Sequence, residues 1–212
     1  LPSTEVLFDN DASTDQSGTI LDQLAQQYDF MRVLHLPNRS GQTGCYQAAF
    51  NDVNSDYIIR MDGDLQDDPK DLPHFFKLLD QDPDIIMGLR SLRRHRRMLR
   101  IVTLLYDILM LSLFDTPFHT NSSSFIAYKA QFVQNIPFKR NDHRYLPIIA
   151  IHRGAQNLHE ISIKNRNRKY GKTKYGYYSK FLKGIPEVLR FLFRLKRGYY
   201  DVSPNTLFGD SK

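Results

Sequence analysis

The residues best placed to do chemistry are Asp62, Asp64 and Gln66, in the run Met61-Asp-Gly-Asp-Leu-Gln-Asp-Asp-Pro69. They bring three oxygen-bearing side chains to one tight turn directly after the apolar segment Tyr57-Ile-Ile-Arg-Met61. Hard cations such as Mg²⁺ and Mn²⁺ take oxygen ligands of this kind and complete their shell with water and substrate phosphates. Gly63 is expected to let the backbone fold closely enough for both carboxylates to converge. A metal held there would neutralise charge developing on a departing diphosphate. The same residues also read as a solvated acidic turn, because Asp67 and Asp68 suit the N-terminus of a helix that Pro69 opens. A second acidic turn, Asp9 to Asp15, follows another short apolar segment, Glu5-Val-Leu-Phe-Asp9.

Cations come later in the chain. Arg90 directly follows the apolar run Asp84-Ile-Ile-Met-Gly88 and is the one best placed near a site, whereas Arg93 to Arg100 reads equally as a solvated face. Arg168, Lys172 and Lys174 lie in a Tyr- and Gly-rich loop suited to phosphate, either a donor diphosphate or a lipid-phosphate acceptor. From Ser179 to Arg197 the pattern is amphipathic, with Phe181, Leu182, Ile185, Val188, Leu189 and Leu192 set against Lys180, Lys183, Arg190, Arg194 and Lys196. Such a helix suits a membrane surface or packing on the domain. His119, His143 and His159 have no metal-ligand spacing and read as structural, and Cys45 as a small core residue.

The elements that must position these groups alternate. Strand patterns at 5–9, 32–36, 57–61 and 84–88 are separated by helical periods through Ile20, Leu21, Leu24 and Ala25, through Tyr46 to Val53, and through Leu72, Phe75, Phe76 and Leu79. Pro37 to Gly44 reads as a loop. This alternation implies an α/β sandwich with a mainly parallel sheet, in which ligands bind beyond the carboxyl ends of the strands. Further on, a helix near 97–114, an apolar run Phe125 to Tyr128, a helix from Asp142 to Arg153 and an edge strand from Asn157 to Asn165 are expected.

The bulk properties agree with one well-cored domain or two very small ones: 212 residues, 41% apolar and 25% charged. The net charge of +6 favours anionic partners, and no nucleic-acid-binding motif accompanies it, so phosphates or an acidic membrane face are expected rather than nucleic acid. Cys45 is the single cysteine, so nothing requires an oxidising compartment. No signal peptide is visible at Leu1, and no apolar run reaches the roughly 18 residues of a transmembrane helix; Ile101 to Phe114 is too short and carries Asp107.

Taken in order, these motifs resemble the family 2 glycosyltransferases of the GT-A fold, especially the polyprenyl- and dolichyl-phosphate sugar synthases. The resemblance spans about residues 5 to 196. Glu5 to Asp15 is similar to the family's strand followed by Asp-Asp-Gly-Ser-Thr-Asp, which implies nucleotide contacts for Asn10 and Asp11. Gly41-Gln42-Thr43 matches the loop before the second helix and implies the same for Gln42. Met61 to Pro69 resembles the metal motif, implying Asp62, Asp64 and Gln66 as ligands, with Asp62 also near the nucleotide. Gly88-Leu-Arg90 with Arg93 resembles a Gly-x-Arg-x-x-Arg segment. His143-Arg-Tyr-Leu-Pro147 and Arg168-Lys-Tyr-Gly-Lys-Thr-Lys-Tyr175 match two late motifs of the lipid-phosphate branch.

The implied catalytic groups are Asp64, Arg90, Arg144 and Asn121, with Arg93, Arg168, Lys172 and Lys174 on the acceptor phosphate. Asn121 stands where the family has an Asp near that phosphate; an amide cannot serve as a base, but an ionised phosphate nucleophile hardly needs one. The implied reaction is inverting, Mg²⁺- or Mn²⁺-dependent transfer from a UDP- or GDP-sugar to a polyprenyl or dolichyl phosphate, in cell-envelope glycan synthesis. The implied place is cytoplasmic, peripheral at the cytosolic face of a membrane. The expected layout is a catalytic domain over 1–165, and over 166–212 a basic acceptor loop with a membrane-proximal helix. The family's first strand, with its Pro-x-Tyr-Asn-Glu-like motif, is missing before Leu1, so the sheet is expected to lack it and the chain to be a fragment. A glycan acceptor, or an inactive domain binding anions or membrane, are the rival readings.

Overall fold

Ile85, Ile86 and Met87 are fully buried, which a run of consecutive strand residues achieves only when both faces of the sheet are covered. They belong to β4 (Ile85–Arg90), an inner strand of a four-stranded sheet with β3 (Tyr57–Arg60), β5 (Ile126–Lys129) and β6 (Leu158–Ile163), in the order β3-β5-β4-β6. β3, β4 and β6 run in one direction and β5 runs against them, so β5 makes antiparallel ladders with β3 and β4 while β4 and β6 pair in parallel. The expected predominance of one strand direction therefore holds, with β5 as the reversed member. The computed structural model describes residues 4–90, 108, 110, 112–114, 116–118, 123–164 and 177–201, with the backbone alone at 90 and 177–183.

The chain forms two compact units, one from the residues up to Asn54 together with Gln134–His143, the other from Ser55–Val133 and the described residues from Arg144 on. In the first, β1 (Val6–Asn10) pairs in parallel with β2 (Met31–His35), and α1 (Ser17–Gln27) joins them. α2 (Gly41–Asp52) anchors the unit through Phe50, 2% exposed, which stacks on Tyr46 and meets Phe138. α2 starts at Gly41, so the residues expected in a loop, Gly41 to Gly44, form its first turn. Helix formation there depends on the carboxylate of Asp11, 30 residues away, which no local pattern reveals.

In the second unit Phe75 of α3 (Leu72–Leu79) stacks on Phe125 at 4.4 Å and closes a core with Ile86, Ala127 and Ile163. Pro69 opens a short 3-10 turn, Pro69–Asp71, ahead of α3, as its fixed φ favours. α4 (Leu146–His152) buries Leu146, Ile148 and Ile149. α5 (Tyr177–Lys196) inserts Val188 and Phe191, the latter stacked on Tyr145 at 4.1 Å. Of the apolar face expected on α5, Ile185 and Leu189 stand exposed, and Phe193 with them; the helix buries a narrower stripe because Phe191, not Leu189, meets the aromatic core. α5 ends where Gly198 takes φ +68 and Tyr199 N–H returns to Arg194 O at 3.1 Å, a Schellman cap. No described helix is long and apolar enough to cross a membrane.

Candidate functional site

Five carboxylates crowd the segment after β3, and burial sorts them. Asp67, Asp68 and Asp71 are 1%, 6% and 3% exposed, and each has a structural partner. Asp67 accepts from Ser124 Oγ, Asp68 accepts Lys70 N–H at 3.2 Å and caps the 3-10 turn, and Asp71 accepts Lys164 N–H at 2.7 Å just past β6. Asp62 and Asp64 are half-buried, as is Gln66. Asp64 Oδ1 accepts Gln66 N–H at 3.1 Å, which curls the turn back on itself. Among the described residues no three His, Cys, Asp or Glu side chains form a metal cage. Two accessible hard carboxylates beside an amide oxygen form a donor set that fits Mg²⁺ or Mn²⁺ when substrate phosphates and water supply the rest.

The turn does not depend on Gly63 as expected. A Cβ there would meet nothing within 4 Å, and its φ lies outside the left-handed region. The left-handed residue is Leu65, at φ +64, where a side chain costs about 1 kcal/mol. Arg60, which was not among the residues expected at the site, ends β3 two residues before Asp62 and is 9% exposed, its Nη2 donating to Ser123 O at 2.6 Å. Ser123 and Ser124 are thus tied to both the strand end and the acidic turn. The signal for Arg60 was present: an arginine inside an otherwise apolar strand must be buried with a partner. Arg90 is the last residue of β4, in register with Ile163.

In the other unit, the turn after β1 carries Asn10 and Asp11. Asp11 Oδ1 accepts Ser40 N–H at 2.6 Å and Oδ2 accepts Gly41 N–H at 3.0 Å, so this carboxylate caps α2 and complements its dipole. Asn10 is 8% exposed, and its Oδ1 accepts Ser13 N–H at 3.1 Å. Ala12, where the resembled motif has Gly, sits at φ +49. Gln42 Nε2 donates to Tyr46 Oη at 3.2 Å in the first turn of α2.

Asp9 lies one residue before this turn. Burial, and then the carboxylates of Asp52 and Asp11, push it up to about 6, and its Oδ1 is buried with no hydrogen-bond partner. Burial followed by Asp11 and Asp9 pushes the Cys45 thiol up to about 11, so it is not a nucleophile at neutral pH. Because the folded state raises the pKa of Asp9, its contribution to stability is full below about pH 4 and is lost as pH rises through about 6. Complete burial would make the loss about 3 kcal/mol, and solvent screening of a half-exposed group cuts it to about 1 kcal/mol. Asp9→Asn is expected to raise stability by that amount near neutral pH and by almost nothing near pH 4, as read by urea unfolding at the two pH values.

Residues 1–137 match the family model described as glycosyl transferase family 2. The chain belongs to that family. It is 28% identical to a dodecaprenyl-phosphate galacturonate synthase of Rhizobium johnstonii over 182 residues, 84% of this chain and 53% of that protein. It is also 28% identical to an undecaprenyl-phosphate 4-deoxy-4-formamido-L-arabinose transferase of Edwardsiella ictaluri over 173 residues, 81% of this chain and 53% of that one. The chain thus spans about half the length of the curated relatives it matches. Glucosyl-3-phosphoglycerate synthase of Mycobacterium tuberculosis, solved with Mn²⁺ and UDP-glucose, superposes with a TM-score of 0.62 at 16% identity, covering 87% of this chain and 66% of that one. That likeness establishes the GT-A fold.

Two motifs of this family 2 chain, far apart in sequence, meet within one unit. Thr43 Oγ1 accepts Asn141 N–H at 3.0 Å and shares a hydrogen bond with His143 Nδ1 at 2.7 Å, which makes His143 a structural partner of α2. Arg144 Nη1 lies 3.7 Å from Glu187 Oε2 of α5, a loose and half-exposed ion pair. Arg93, Asn121, Arg168, Lys172 and Lys174 lie outside the described residues, as does the side chain of Arg90.

Proposed function

We propose that the chain is the catalytic part of an enzyme that transfers a sugar, with inversion, from a UDP- or GDP-sugar to a polyprenyl or dolichyl phosphate. The observation carrying this is the sorting of the acidic turn. Three of its carboxylates are buried against partners in the fold, and Asp62 and Asp64 are half-buried on the turn that follows β3. The names of the relatives, which act on dodecaprenyl and undecaprenyl phosphates, support the acceptor class.

Asp62, Asp64 and Gln66 would hold Mg²⁺ or Mn²⁺, which when bound supplies positive charge against the leaving diphosphate. Arg90, the last residue of β4, is assigned to the leaving diphosphate, because preorganised positive charge does most to speed a reaction whose leaving group is anionic. The acceptor phosphate is already ionised at neutral pH, so positioning replaces deprotonation, consistent with Asn121 standing where the family has a carboxylate. Asn10, Asp11 and Gln42 are assigned to the nucleoside; Asp11 is held at the start of α2 by the backbone bonds it accepts. Arg93, Arg168, Lys172 and Lys174 are assigned to the acceptor phosphate, and Arg144 to the catalytic groups. A lipid acceptor implies work at a membrane surface, at the cytosolic face where nucleotide sugars are found. The test is transfer of labelled sugar from UDP- and GDP-sugars into a phosphate-linked lipid, with and without a chelator.

A further inference from the structure

We infer that His35, held by Asp22, is a positioning residue that orients Asn10 for the nucleoside and makes nucleotide binding weaken as the imidazole takes up a second proton. This role rests on the assignment of Asn10 and Asp11 to the nucleoside. A single backbone group fixes the orientation of the amide. Ser13 N–H can only donate, so the Asn10 atom 3.1 Å from it is the acceptor, Oδ1. The other end of the amide, Nδ2, is then a pure donor, and it lies 2.9 Å from His35 Nδ1. Nδ1 must carry the lone pair, which puts the ring proton on Nε2, 2.8 Å from Asp22 Oδ1. Ser13, Asn10, His35 and Asp22 therefore form a chain with one consistent set of donors and acceptors.

The packing leaves the amide few alternatives. Asn10 and His35 face each other in the β1–β2 register, and Asn10 is nearly buried. Gly18 of α1 lies over them: a Cβ there would sit 3.0 Å from Asn10 Nδ2 and 3.6 Å from His35 Cε1. His35 and Asp22 are themselves open to solvent, with side chains 43% and 55% exposed.

A proton added at Nδ1 would set two donors against each other. Turning the amide over so that Oδ1 accepts from the ring moves the conflict to Ser13 N–H, which would then face Nδ2. Either way one nearly buried donor loses its acceptor, and Asn10 leaves its seat. Two groups face the ring: the Asp22 carboxylate from α1 at Nε2 and the Asn10 amide from β1 at Nδ1. A carboxylate at position 10, as in the motif this turn resembles, would accept from both Ser13 N–H and a protonated ring.

The test measures binding of UDP and GDP, with Mn²⁺ present, to the wild-type chain and three variants near pH 7.5 and near pH 5.5. Wild type is expected to bind about fivefold more weakly at the lower pH, the cost of one hydrogen bond. His35→Gln, a neutral acceptor at both pH values, is expected to lose that dependence, and Asn10→Asp to flatten or reverse it. Asp9→Asn, which removes the nearby carboxyl that burial pushes up to about 6, is expected to keep it. Tight binding near pH 7.5 that is equally pH-dependent in His35→Gln overturns the inference alone. Failure of the wild type to bind either nucleotide at both pH values overturns the nucleoside assignment, and the inference with it.

Discussion

Asp64→Ala is expected to lower sugar transfer by at least about 100-fold while leaving the fold in place, because it removes charge stabilisation made at the leaving diphosphate. Asp64 is half-buried, and the bond it accepts from Gln66 N–H is worth about 1 kcal/mol or less. Asp67→Ala, three residues on, reverses the balance. It removes a carboxylate that is 1% exposed and takes away the acceptor of Ser124 Oγ, so the main effect is on unfolding. Steady-state kinetics across a Mn²⁺ titration, paired with thermal unfolding of both variants, separates the two. Unchanged transfer by Asp64→Ala removes the metal role from this turn.

Gly88→Ala is expected to destabilise the second unit by about 2–3 kcal/mol, a large share of a typical domain's 5–15 kcal/mol. A Cβ at Gly88 would lie 2.8 Å from Phe125 O and 2.9 Å from Ile163 Cδ1. The carbonyl cannot retreat without stretching the 2.9 Å bond it accepts from Gly88 N–H, and Ile163 is part of the buried core. Because Gly88 precedes Arg90 by two residues on the same strand, relief of the clash also shifts the strand end that carries that cation. Urea unfolding reads the first effect. Gly63→Ala is the matching control, since open space surrounds its Cβ; there a change below about 0.5 kcal/mol is expected.

What was legible in the sequence was whatever local pattern fixes. β3 and β4 followed from short apolar runs, the Pro69 turn from a fixed φ, and the acidic turn of Asp62 and Asp64 from its place just after an apolar run. What was not legible depends on long-range partners. Asp71 belongs to the fold because Lys164 N–H, 93 residues later, needs an acceptor. α2 begins at Gly41 because Asp11, 30 residues earlier, caps it, and so the apparent loop before Gly44 is helix. Gly63 drew attention by residue type, yet the left-handed position fell to Leu65. On α5 the amphipathic period was plain, but which of its apolar residues would be buried depended on where Tyr145 and Tyr200 present their rings to Phe191.

The accessible carboxylates on the β3 turn are held to serve metal-dependent transfer to a lipid phosphate, and one measurement bears on this directly. Labelled UDP- and GDP-sugars are supplied with a polyprenyl phosphate in detergent, with Mn²⁺ or with excess chelator, and label is followed into an organic-extractable, acid-labile lipid. The expected result is metal-dependent label in a phosphate-linked sugar lipid, abolished by chelation and by Asp64→Ala. Label that appears on a glycan acceptor with none in the lipid phosphate, or lipid labelling indifferent to chelation, would contradict it.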